Sequence, residues 1–124
     1  MNALLFPGQG VQKIGMLDEI ISSNSEIHDF LAKASEGLDF DLIKLITSGP
    51  EEKLNLTEFA QPAILASSIA IIRAKKLNSN ITVTAGLSLG EYSALVYANC
   101  LKFSDALKLV NVRGRLMQNA VPEG

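Results

Sequence analysis

The sequence predicts an α/β fold in which a short parallel sheet is flanked by helices. Two short strand-like runs carry that expectation, Ala3-Leu4-Leu5-Phe6 and Ile81-Thr82-Val83-Thr84-Ala85, together with the helical patterns that separate and follow them. Strands divided by helical stretches pair in parallel, because each helical crossover returns the chain to the same end of the sheet. Composition agrees: 48% of the 124 residues are apolar and 19% are charged, a balance that packs into one domain rather than staying disordered.

The first run stops at Pro7-Gly8-Gln9-Gly10, which suits a short buried strand feeding a glycine-bracketed loop. Ser25 is placed to cap a helix whose apolar stripe is Ile27, Phe30, Leu31 and Ala34, with Gly37 as its stop. A shorter helix follows through Leu42, Ile43, Leu45 and Ile46, ended by Gly49-Pro50. Pro62 fits the first position of the next helix, where its missing N–H costs nothing, and that helix continues to about Lys76. Its apolar core from Ala63 to Ile72 is interrupted by Ser67 and Ser68 and falls short of the ~20 residues that span a bilayer.

Asn78 and Asn80 then turn the chain into the second strand, which is rich in β-branched residues. Leu89 to Ala98 is apolar on nearly every side, the pattern of a helix buried between layers. Ser104 caps a last helix from about Asp105 to Asn119, closed by Pro122 and Gly124. No repeat, linker or low-complexity tract divides the chain, and two or three strands make a thin sheet for so many helices.

Charge and cysteine content exclude several classes. Net charge is −2 and the eleven Lys and Arg residues are scattered, so nucleic acid and anionic membranes are not expected partners. Cys100 is the only cysteine, which forbids an internal disulfide and reads as a small core residue. The start of the chain has neither the basic flank nor the long apolar stretch of a signal peptide, so a cytoplasmic location is expected. No cluster has metal-ligand spacing, and no glycine loop suits a phosphate.

The residues with chemical promise begin at Gly86-Leu87-Ser88-Leu89-Gly90, between a strand and a helix. In that context the Gly-x-Ser-x-Gly pattern is a nucleophile elbow: the glycines let the flanking backbones close, and the serine stands at the tip. The N–H of Leu89, at the start of the following helix, is placed to stabilise an oxyanion. A glycine-rich turn without catalysis is the alternative.

Arg113 is the second lead. It sits in the middle of a stripe made of Ala106, Leu109, Val110, Leu116, Met117 and Ala120, while Arg115 faces away. A core-facing guanidinium needs an anion, either an internal carboxylate such as Glu91 or Asp105 or the carboxylate of a substrate. Gln9, in the loop after the first strand, can point an amide into a cleft at the sheet's C-terminal edge, and Gln61 is a weaker candidate of the same kind. His28 is the only histidine and therefore the only candidate base, but its position beside the Ile27/Phe30/Leu31 stripe suits a partly exposed surface residue.

Four motifs in register, Phe6-Pro7-Gly8-Gln9-Gly10, Gln61-Pro62-Ala63, Gly86-Leu87-Ser88-Leu89-Gly90-Glu91-Tyr92-Ser93-Ala94-Leu95 and Arg113-Gly114-Arg115-Leu116-Met117-Gln118, resemble the malonyl-CoA:acyl-carrier-protein transacylases of fatty acid synthesis. The related acyltransferase domains of polyketide synthases share these features. The resemblance covers essentially the whole chain. It implies the N-terminal part, residues 1–124, of an α/β-hydrolase-like large subdomain, without the ferredoxin-like small subdomain.

The resemblance further implies a ping-pong transfer in which Ser88 takes malonyl from coenzyme A and passes it to the phosphopantetheine thiol of acyl carrier protein. Gln9 and Leu89 would supply the oxyanion-hole amides, and Arg113 would bind the malonyl carboxylate. Gln61 and Leu87 would line the pocket; the family often has histidine where this chain has Leu87, a difference expected to tune the acyl pocket. No tightly bound cofactor is implied, and the coenzyme A thioester is substrate. The family's catalytic histidine lies far downstream of the nucleophile, so the C-terminal remainder of the enzyme is an expected partner and His28 does not take that role. Two other readings stay open: a serine thioesterase or esterase, and an inactive module that only folds with or binds its missing half.

Overall fold

In the computed structural model, residues 1–77 and 80–121 are described. The element order is β1 (Asn2–Phe6), α1 (Asp18–Ser23), α2 (Ser25–Ala34), α3 (Leu42–Ser48), α4 (Glu51–Leu54), α5 (Thr57–Lys75), β2 (Ile81–Gly86), α6 (Gly90–Tyr97) and α7 (Phe103–Ala120). The two strands pair in parallel, from Asn2 opposite Ile81 to Phe6 opposite Gly86. Both strands therefore end at the same edge, and the loops that leave them emerge side by side, the place where open α/β sheets build their sites.

The core is organised around α5. From Ala60 to Ser67 every residue of this helix is buried, because α7 packs along it while α2, α3 and α4 cover its other sides. Leu31, Leu42, Ile46, Leu54, Leu65, Leu107 and Val110 are each no more than 1% exposed and fill the space between these helices. The strands are covered only in part. Phe6 is buried but Leu5 next to it is 73% exposed and Val83 is 47% exposed, so the expectation of fully buried strands fails for one face. A sheet of two strands, among the described residues, has too few neighbours to hide both faces.

Several boundaries move for identifiable reasons. Asn24, not Ser25, caps α2, its side chain accepting from the Ile27 N–H at 3.3 Å, and the helix ends at Ala34 before Gly37 is reached. The last helix begins at Phe103 with Lys102 at its N-cap, so Ser104 lies inside the first turn rather than capping it. Cys100 is exposed, not a core residue, because the chain leaves α6 through Asn99 at φ 59. Helix α6 is open on one side, where Glu91 and Leu95 are exposed. Two short helices, α1 and α4, carry no periodic pattern long enough to announce them. Asn80 has the expected turn conformation at φ 64. Asn78, Pro122 and Gly124 lie outside the described residues.

The largest difference concerns Pro62. Helix α5 starts at Thr57, so Pro62 is an interior residue rather than the first. An interior proline leaves the carbonyl four residues earlier without its helical donor. Here that carbonyl belongs to Glu58, and the Asn111 side chain on α7 donates to it at 2.9 Å. The defect in one helix thus becomes a tie to the next. Gly114 completes the contact: a Cβ there would stand 2.5 Å from the Thr57 carbonyl oxygen, so only glycine lets α7 come this close.

That close approach also sets which face of α7 is buried. Ala106, Leu107, Val110, Asn111 and Gly114 face α5, whereas Leu109, Leu116 and Met117 are 46%, 64% and 44% exposed. The buried face is rotated by roughly a quarter of a turn from the stripe centred on Arg113, at 3.6 residues per turn. Small residues, not maximal hydrophobicity, select it.

If the Asn111 amide replaces the missing helical donor, Asn111→Ala should lower the unfolding free energy by about 1–3 kcal/mol. In a Pro62→Ala background, which restores the N–H to Glu58, the same change should cost clearly less. Urea unfolding of the four proteins in this double-mutant cycle measures the coupling, and simple additivity would show that the tie does not work this way.

Candidate active site

Strand β2 runs into a turn too tight for ordinary side chains at its two ends. A Cβ on Gly86 would lie 2.0 Å from the Gly90 carbonyl carbon, and one on Gly90 would lie 2.3 Å from the Phe6 carbonyl oxygen. The end of β1, the end of β2 and the start of α6 therefore share one point of backbone contact. Ser88 takes the strain of the turn, adopting φ 53 in the left-handed region that a non-glycine residue occupies at a cost of roughly 1–2 kcal/mol. Its side chain is exposed at the tip.

The loop after β1 lies against this turn, since a Cβ on Gly8 would come 2.9 Å from the Leu87 carbonyl oxygen. Gln9 anchors the loop to the start of α5 and Gln12 to the end of α4: the Gln9 Nε2 donates to Thr57 Oγ1 at 3.2 Å and the Gln12 Nε2 to Asn55 Oδ1 at 3.1 Å. The Gln9 side chain is thus turned towards α5. Among the described residues, neither the Gln9 nor the Leu89 amide donates to a protein acceptor. The Leu89 side chain is buried, whereas Leu87 is 76% exposed.

Arg113 reaches this point from α7. Its Nη2 donates to Ser88 Oγ at 3.1 Å and its Nη1 to Gln61 Oε1 at 2.8 Å, while the guanidinium carbon lies 5.3 Å from the centre of the Tyr92 ring. The expected alternatives, an ion pair with Glu91 or Asp105, are not formed; among the described residues Arg113 has no carboxylate partner. Arg115, by contrast, is paired with Glu58 at 3.5 Å and donates to Asn111 Oδ1 at 3.4 Å. Of the two arginines on α7, only Arg113 keeps its charge available.

The structure therefore brings together Ser88, Arg113, Gln61 and the loop carrying Gln9. It leaves His28 apart: this residue is on α2, half exposed, with Nδ1 3.5 Å from an Asp29 carboxylate oxygen. Gln61 gains importance, being 1% exposed and bonded to Arg113. The sequence does not single out Tyr92 and Met117 as site residues. Tyr92 lies in the first turn of α6, directly after the elbow, and that adjacency is the signal the sequence offers for it. Met117 is four residues after Arg113 on α7 and accepts from the Gln61 Nε2 at 3.4 Å.

An α/β sheet whose strand turns through a strained serine into a helix defines the elbow class of α/β proteins. Comparison with known proteins narrows this. The chain belongs to the acyl transferase domain family, whose model matches residues 3–124. A malonyl CoA-acyl carrier protein transacylase of Haemophilus influenzae is 50% identical over 125 residues, covering 98% of this chain and 40% of that protein. One from Staphylococcus aureus is 46% identical over 99% of this chain and 40% of its own length.

Among solved structures, the malonyl CoA-acyl carrier protein transacylase from Coxiella burnetii superposes with a TM-score of 0.91 at 46% identity, over 98% of this chain and 39% of that one. A malonyl-transacylase in complex with a type II PKS acyl-carrier protein gives a TM-score of 0.90 at 48% identity, over 98% of this chain and 40% of that one. The chain thus spans about 40% of the length of the relatives it matches. Among the described residues no helix is long and apolar enough to cross a membrane.

Strain at the turn has a measurable consequence. Ser88→Gly should be more stable than Ser88→Ala by about 0.5–1 kcal/mol, relief of the left-handed conformation outweighing the greater freedom of glycine in the unfolded chain. Gly86→Ala should unfold far more easily than either. Thermal melts of the three variants decide this, and equal midpoints for Ser88→Gly and Ser88→Ala would show that the turn is unstrained.

Proposed function

We propose that this chain is the N-terminal segment of the large subdomain of a malonyl-CoA:acyl-carrier-protein transacylase, with Ser88 as the nucleophile. The observation that supports it most is the guanidinium of Arg113, without a carboxylate partner and in contact with a hydroxyl at the tip of a strained turn. A cation held within one hydrogen bond of a nucleophile selects acyl groups that carry a second, anionic end. Malonyl is such a group: its carboxylate is two bonds from the carbonyl that Ser88 would attack, within reach of Arg113 after a small movement.

In the first half-reaction Ser88 Oγ forms a bond to the thioester carbonyl carbon of malonyl-CoA, and the hydroxyl proton passes to a base. The developing oxyanion accepts from the amides of Gln9 and Leu89, which have no competing acceptor among the described residues. Collapse breaks the C–S bond, and coenzyme A leaves as its thiol with the proton returned by the base. The second half-reaction runs these steps in reverse order with the phosphopantetheine thiol of acyl carrier protein, releasing Ser88. No tightly bound cofactor enters this scheme.

A base at Ser88 is the missing part, because the chain's one histidine lies on α2. The reading requires a further polypeptide segment that carries it. Such a segment would also cover Leu5, Val83, Leu109 and Leu116, large apolar side chains that stand exposed on β1, β2 and α7. Leu87 and Gln61 would border the acyl pocket.

Arg113→Ala tests the reading through selectivity. In the enzyme with its full polypeptide, the preference for malonyl-CoA over acetyl-CoA should fall by about 10–100-fold, the loss expected when a hydrogen-bonded charge pair worth roughly 1.5–3 kcal/mol is removed. Arg113→Lys should not restore it, since an ammonium lacks the planar fork. An unchanged preference in Arg113→Ala would refute the carboxylate clamp.

A further inference from the structure

The interaction that holds Arg113 has a feature that a simple charge pair would not give. Gln61 is buried in α5, so both ends of its amide need partners. Its oxygen accepts from Arg113 Nη1 at 2.8 Å and its nitrogen donates to the Met117 sulfur at 3.4 Å. The reverse orientation would point an NH2 group at a guanidinium, donor against cation, so the charge of Arg113 fixes the amide and the amide in turn fixes Arg113. Tyr92 lies against the guanidinium, a cation–π contact that limits its tilt. What stays exchangeable is Nη2, whose partner is the hydroxyl of Ser88.

We propose that Gln61 is the positioning residue that sets acyl-group selectivity, because it holds Arg113 at Nη1 without neutralising it. This rests on the clamp role of Arg113 given above. A carboxylate at this place would hold the guanidinium as firmly but would satisfy its charge, leaving little attraction for a substrate anion. An apolar residue would leave the charge but release the side chain. A neutral, buried acceptor does neither: one nitrogen is committed to the fold, and the other is free to trade the Ser88 hydroxyl for the carboxylate of an incoming acyl group. The same exchange frees the Ser88 hydroxyl, so an acyl group bearing an anion releases the nucleophile it is about to meet.

Two substitutions of similar length separate position from charge. In the enzyme with its full polypeptide, Gln61→Met should lower the malonyl-to-acetyl ratio of kcat/KM by about tenfold, mainly through a higher KM for malonyl-CoA, the effect of losing one charge-assisted hydrogen bond. Gln61→Glu should lower the ratio at least as much, although it keeps an oxygen against Arg113, and it answers the question if the methionine variant does not fold. Arg113→Ala run beside them distinguishes the two levels of the account. If Arg113→Ala abolishes malonyl preference while both Gln61 variants keep it, the positioning role of Gln61 is wrong and the clamp stands. If Arg113→Ala itself keeps the preference, both fall. A ratio that does not move in either Gln61 variant, with malonyl and acetyl transfer declining together, would mark Gln61 as a packing residue only.

Discussion

The structure depends on one point of backbone contact, where the end of β1, the end of β2 and the start of α6 meet. No side chain fits there: a Cβ at Gly86 or Gly90 would lie 2.0 Å and 2.3 Å from neighbouring backbone atoms. Because the space is closed at both ends of the turn, the residues between must bridge it in few steps, and Ser88 does so in the left-handed region. Its hydroxyl is consequently held at the tip rather than folded back into the turn. Parallel pairing from Asn2/Ile81 to Phe6/Gly86 brings the loop of Gln9 to the same edge. The exposed serine is therefore the product of one steric constraint.

Arg113 arrives by a different route, through the contact of α5 with α7. Their polar ties cluster at the start of α5. The Gln118 Oε1 accepts from the Thr57 N–H at 3.1 Å, Asn111 donates to the Glu58 carbonyl at 2.9 Å, and Arg113 donates to Gln61 at 2.8 Å. The other end is packed by apolar residues, among them Ala106 and Leu107. Polar ties have directions, whereas apolar packing permits sliding, so the register of α7 on α5 is set at the end where it matters for the guanidinium. Pro62 contributes by removing a helical hydrogen bond whose acceptor then recruits Asn111.

Much of this was legible in the chain. The strand β2, the elbow pattern and the short helix α3 are local events, written in a β-branched run, glycine spacing and the Gly49-Pro50 stop, and they appear where expected. The joint presence of Ser88 and Arg113 at one place is what the family resemblance implies, and the fold brings them together. Legibility failed where a tertiary partner overrode a local signal. Pro62 suggested a helix start because nothing in the sequence shows that Asn111, 49 positions later, would take up the orphaned carbonyl. The stripe on α7 was misplaced because Gly114 counts as a gap in a hydrophobic pattern but as the closest contact in packing. Cys100, which follows an apolar helix and reads as a small core residue, lies on the surface by turn geometry.

The site's polarity is likewise divided between two kinds of residue. Arg115 and Glu58 neutralise each other at the rim, whereas Arg113 is held by an amide and a ring that leave its charge unspent. The proposed function makes an acyl carboxylate its complement and requires that such a group become covalently attached to Ser88. Brief mixing of the enzyme, with its full polypeptide, and malonyl-CoA, followed by acid quench and peptide mass spectrometry, tests this directly. The account predicts a malonyl ester on the peptide containing Ser88, absent from Ser88→Ala. Transfer to acyl carrier protein without any adduct at Ser88, or an adduct that persists in Ser88→Ala, would contradict it.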